Sequence, residues 1–92
     1  MNDTDLDKIM ALLKAVREYV VEVKQAGTLL RGAAEECRSE CDNDSLSVYY
    51  SNRMNQLLDQ MANDVIPKCN DLIDNLDAYY KRVDWIINHP NE

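Results

Sequence analysis

CDNDSLS, residues Cys41 to Ser47, is the one place in this chain where turn and helix-cap formers crowd together. The side chains of Asp42, Asn43, Asp44 and Ser45 compete for backbone hydrogen bonds, so they favour turns and caps over helix interiors. The cluster lies near the midpoint of 92 residues. Elsewhere the breakers are scarce, with two Gly and two Pro in the whole chain, so long helices are expected on either side.

Upstream of the cluster the apolar residues alternate by three and four. Leu6, Ile9, Leu13, Val16, Val20, Val23, Gly27, Leu30, Ala34, Cys37 and Cys41 make one unbroken series. That spacing predicts a single helix over about residues 4–41 with a coiled-coil-like seam. Thr4-Asp5-Leu6-Asp7 offers a capping-box-like start, and Asp3, Asp5 and Asp7 suit the positive end of the helix dipole. Leu12, Tyr19, Ala26 and Ala33 run beside the seam at seven-residue spacing, which widens the apolar face beyond what one partner helix covers.

Downstream, the spacing predicts a second helix over about residues 46–88. Its seam reads Tyr50, Met54, Leu57, Met61, Val65, Cys69, Leu72, Leu76, Tyr79, Val83 and Ile86. The steps from Leu57 to Cys69 are four, four and four, a stutter that locally unwinds a left-handed coil. Pro67 sits inside it and predicts a kink near residues 66–67. Pro90 pushes His89 out of helical geometry and ends the helix.

Together these segments predict an all-α fold: one domain over residues 1–92, an antiparallel long-helix hairpin turned at 42–45. A chain this short buries only about 60–65% of its unfolded surface, so its own core is thin. The second apolar rows are left uncovered, and pairing into a four-helix-bundle dimer is the expected remedy. The partner would be a second copy or a similar hairpin. Leu12, Tyr19, Tyr49, Ile73, Tyr80 and Trp85 are the candidate contacts, because tyrosine and tryptophan are favoured interface anchors.

The net charge of −7 argues against nucleic acid as a partner, since phosphate binding needs clustered Lys and Arg. No apolar run reaches the about 18–20 residues of a membrane span. The opening MNDTDLDKIM is acidic and polar, unlike a secretory signal peptide, so a cytoplasmic protein or one exported by another route is expected.

No catalytic constellation stands out, and no cofactor is implied. His89 is the only histidine and lies in the tail, with no base placed near Ser45 or Ser47. Asp42 to Arg53 resembles a calcium loop only superficially, with Ser47 where glycine and Arg53 where glutamate are required. Three cysteines and one histidine could ligate zinc in principle, but the hairpin pairs Cys69 with Glu18 and leaves His89 beyond the far end from Cys37. Small apolar seam residues with reduced thiols are the simpler expectation.

A helical hairpin of 92 residues turned at its midpoint, with Tyr80 and Asp84 spelling Tyr-x-x-x-Asp near its end, resembles a known family. It is similar to the small Trp-x-Gly (ESAT-like) proteins of type VII secretion, as a divergent member or effector partner. The turn CDNDSLSVYY carries neither the Trp nor the Gly of that motif, and the single tryptophan is Trp85. The resemblance implies a non-enzymatic protein that dimerises and travels as a secreted substrate, or as partner and targeting chaperone of a larger effector handled by a secretion ATPase. It also implies that Tyr80 and Asp84 belong to the export signal. Two other classes fit the composition: a cytosolic acidic inhibitor or immunity protein bound to a basic surface, and a structural helical-bundle module.

Overall fold

Asn2 starts the first helix. In the computed structural model, which describes residues 2–41 and 44–90, its extended backbone lets the side chain accept from the N–H groups of Thr4 (3.0 Å) and Asp5 (3.2 Å). The Asp5 carboxylate accepts from the Asn2 N–H in return, at 2.9 Å. This reciprocal pair is a capping box, placed two residues before the Thr4 start that the sequence suggested. Helix α1 runs from Asp3 to Glu40 and closes on Cys41, whose N–H donates to the Cys37 carbonyl at 3.0 Å.

Asp44 caps the return helix, accepting from the N–H groups of Leu46 (2.9 Å) and Ser47 (2.8 Å). Of the expected turn at 42–45, Asp44 is the helix cap and Ser45 already begins the return helix, while residues 42 and 43 lie outside the described residues. Helix α2 spans Ser45–Gln60, a π-helical turn spans Met61–Val65, and helix α3 spans Ile66–Asn88. The described residues form helices and no strand.

The π-turn is how the chain accommodates Pro67. Proline has no N–H, and in an α-helix its ring strikes the carbonyl four residues back, here that of Asn63. In the π-turn the Ile66 N–H reaches the Met61 carbonyl, five residues back, which widens the coil ahead of the ring. Helical residues run without a gap from Ser45 to Asn88 through this site. Backbone angles on both sides stay α-helical, φ −61° and ψ −42° at Gln60 and φ −63° and ψ −46° at Ile66.

α1 packs along both α2 and α3. Gly27 faces Leu58, and Arg31 reaches Asn55 and Asp59. Nearer the turn, Ala34 and Cys37 border one cleft with Ser47, Tyr50, Ser51 and Met54. Positions rise on one helix as they fall on the other, so the hairpin is antiparallel. Its extents are 71 × 17 × 10 Å.

The fully covered apolar residues are few. Leu6, Leu13, Val20 and Val83 are buried, with Ile9, Val16, Val23 and Ala34 half-covered along the same stripe. The first seam departs from expectation near the turn, where Leu30, Cys37 and Cys41 are exposed. A straight helix drifts by about 20° per heptad from a strict seven-residue repeat, so the last heptads rotate off the contact line.

The second seam is one residue out of phase at five of its eleven positions. Ser51, Leu58, Ile73, Tyr80 and Ile87 face α1, where Tyr50, Leu57, Leu72, Tyr79 and Ile86 were expected. The two series share Met54, Met61, Val65, Cys69, Leu76 and Val83, all of them covered at least in part. Steps of four therefore run from Met61 to Ile73, and the π-turn lies within them.

Candidate interaction surface

Successive residues on a helix are about 100° apart, so the place just before a seam position lies to one side of it. In an antiparallel pair that side is the same for both helices. Leu12 and Tyr19 on α1 stand one place before Leu13 and Val20, and are exposed by 53% and 49%. Ala26 and Ala33, before Gly27 and Ala34, are exposed as well. On the return strand of the hairpin Tyr50, Leu57, Leu72, Tyr79 and Ile86 stand one place before their seam neighbours, and all are exposed. The two rows form one apolar face along the length of the rod. The cleft shared by Cys37, Tyr50 and Met54 joins them at the turn end.

The opposite side of the hairpin is polar. Arg17, Lys24, Arg31 and Arg38 follow one another at seven-residue spacing, one place after seam positions. Arg31 donates to Asp59 at 2.7 Å and to Asn55 at 3.4 Å across the helices. Both partners of the ion pair are well exposed, so it contributes about 0–1 kcal/mol and serves register more than stability. Lys68–Asp64 (2.9 Å) and Lys81–Asp77 (3.0 Å) are local pairs along one helix.

The six contact residues named from the sequence fall on three different sides. Leu12 and Tyr19 are on the apolar face. Ile73 and Tyr80 are half-buried toward α1, inside the hairpin. Tyr49 and Trp85 are exposed but two places from a seam position, which puts them on the back of their helix. Tyr49 meets Tyr50 edge-on at 5.3 Å, and Trp85 stacks on His89 at 4.5 Å with an interplanar angle of 16°. The residues the sequence missed as surface are Tyr50, Leu57, Leu72, Tyr79 and Ile86. The signal was present in the run of four-residue steps, read one register early.

Tyr80 and Asp84 are not joined to each other by a hydrogen bond among the described residues. Asp84 is exposed, and both its carbonyl and its carboxylate accept from the Asn88 amide, at 2.9 and 3.2 Å. Tyr80 is a seam residue, and its neighbour Tyr79 is the more exposed tyrosine.

At the turn end Cys37 and Cys41 are free, exposed and 4.0 Å apart, sulfur to sulfur. The thiol of Cys41 is pushed above its usual pKa, first by the hydrogen bond and charge of Cys37, then by slight desolvation, Asp44 and Glu40. Cys69 is half-buried on α3. Among the described residues no group of three or more His, Cys, Asp or Glu is placed to hold a metal ion. No described helix is long and apolar enough to cross a membrane.

No family model matches the chain, and no curated protein or solved structure matches it either.

Proposed function

We propose that this chain is a non-enzymatic pairing module of type VII secretion. It docks its apolar face on a second helical hairpin, completing a four-helix bundle, and is exported as a small substrate or escorts a larger effector. The observation that carries the pairing is the face built from Leu12, Tyr19, Leu57, Leu72 and Tyr79, exposed along the full hairpin. Monomeric soluble proteins rarely leave a contiguous apolar surface of that extent open. The export role rests on the resemblance of the hairpin and of Tyr80 with Asp84 to the ESAT-like proteins.

Tyr80 is half-buried and Asp84 exposed, so a receptor would read the acidic end of the pair directly and the phenol only at its rim. The test is export of a tagged chain from a type VII-competent host, with and without its co-expressed hairpin partner. Asp84→Ala and Tyr80→Ala are each expected to reduce secreted protein at least about tenfold while leaving the intracellular amount unchanged, a loss of about 1.4 kcal/mol or more in recognition. Export of both variants at the wild-type level would remove the secretion reading and leave only the pairing.

A further inference from the structure

Two sulfurs 4.0 Å apart on one helix face are too far apart for a bond and well spaced for a shared ion. A disulfide needs an S–S distance of about 2.05 Å, so the sulfurs would have to approach by about 2 Å. The Cys41 N–H is held by the Cys37 carbonyl at 3.0 Å, which keeps the two residues one full helical turn apart. Two metal–thiolate bonds of the zinc–sulfur length, about 2.3 Å, would by contrast reach across up to about 4.6 Å, so one ion can bridge this pair. An ion placed between these sulfurs meets both without unwinding the helix end.

The choice of ion follows from the number and kind of ligands. A structural zinc site wants four protein ligands, and among the described residues no group of even three His, Cys, Asp or Glu is placed to hold a metal ion. Calcium and magnesium want oxygen ligands, which thiolates do not supply. A soft cation content with two sulfur ligands is the match, and Cu(I) is the thiolate-seeking ion of that kind. Both cysteines are exposed, which leaves the ion an open path.

We propose that Cys37 and Cys41 form a two-thiolate Cu(I) site at the turn end of the hairpin. Binding replaces two S–H bonds with two S–Cu bonds and releases both protons to solvent. Copper enters and remains as Cu(I), so no oxidant or reductant takes part. The site is independent of the secretion role and of Tyr80 and Asp84.

The experiment is an anaerobic competition. Fully reduced protein is titrated against Cu(I) held by the coloured chelator bicinchoninate, and loss of colour reports transfer. The wild-type chain and Cys69→Ser are expected to withdraw one Cu(I) per chain. Loss of an outer-shell partner alone costs metal sites about 10–100-fold, so Cys37→Ser and Cys41→Ser should each weaken Cu(I) binding by more than about 100-fold. Both substitutions are at exposed positions, and far-UV circular dichroism should show the wild-type helical spectrum. The proposal is overturned if the wild-type chain fails to compete, if either single variant binds as tightly, or if Cys69→Ser loses the ion. A ratio of one Cu(I) to two chains would also overturn it, because the ion would then bridge two copies.

Discussion

Ser51 is the most instructive single residue. It is buried to 3% exposure in the seam, and its hydroxyl has no hydrogen-bond partner. A serine at a central contact position is not what an apolar pattern selects, which is why Tyr50 looked like the seam residue in its place. A buried hydroxyl without a partner costs roughly 1–3 kcal/mol in desolvation. Ser51→Ala removes that cost with little change of volume, and alanine is also the better helix former. The expected outcome is a gain of about 1 kcal/mol or more, read as a higher urea midpoint at unchanged m-value. A loss of stability on this substitution would mean that the hydroxyl has a partner in solution.

At the scale of the element, the π-turn and Pro67 stand or fall together. The wide turn moves carbonyls away from the proline ring, and its extra residue supplies the run of four-residue steps from Met61 to Ile73. Deleting Asn63, an exposed residue of that turn, would return the backbone to α geometry and place the proline inside an ordinary helix. The deletion is expected to cost about 3 kcal/mol, the usual penalty for an interior proline. Adding Pro67→Ala to the deletion should recover most of that loss, because an alanine N–H can close the restored bond. Urea denaturation of the four proteins in the cycle reads the coupling directly. If the deletion costs as much with alanine at 67 as with proline, the wide turn is set by the apolar stutter alone.

At the scale of the whole molecule the shape is the main fact. The radius of gyration is 20.4 Å, against about 12 Å for a compact chain of this length. The accessible surface is 6934 Å², and a compact monomer of this mass would expose about 5,500 Å². The excess of about 1,400 Å² exceeds the about 800 Å² that each partner contributes to a standard interface. A rod whose described residues bury four apolar side chains cannot offset its conformational entropy comfortably, and pairing would raise the buried share. Light scattering after size exclusion at micromolar concentration is expected to give the mass of two chains, with a melting temperature that rises with concentration. Leu57→Asp with Leu72→Asp should return a single-chain mass, whereas Tyr49→Asp, on the back of α2, should not. A wild-type chain that is monomeric and equally stable at every concentration would exclude self-pairing through this face.

The amino-acid sequence by itself determined that the chain is helical, where it turns, and that its helices carry more apolar surface than one hairpin covers. These are local properties, set by the scarcity of Gly and Pro, the Asp44 cap and the three-four spacing of Leu, Val and Ile. Which residues face inward along the second helix was decided only by tertiary structure. Two seams one residue apart are nearly equal in apolar content there, Tyr50, Leu57, Leu72 and Tyr79 against Ser51, Leu58, Ile73 and Tyr80. The choice between them depends on packing against α1 and on the Arg31 contacts with Asp59 and Asn55, neither of which has a signature along the chain. The same choice moves Tyr80 inward and Tyr79 outward.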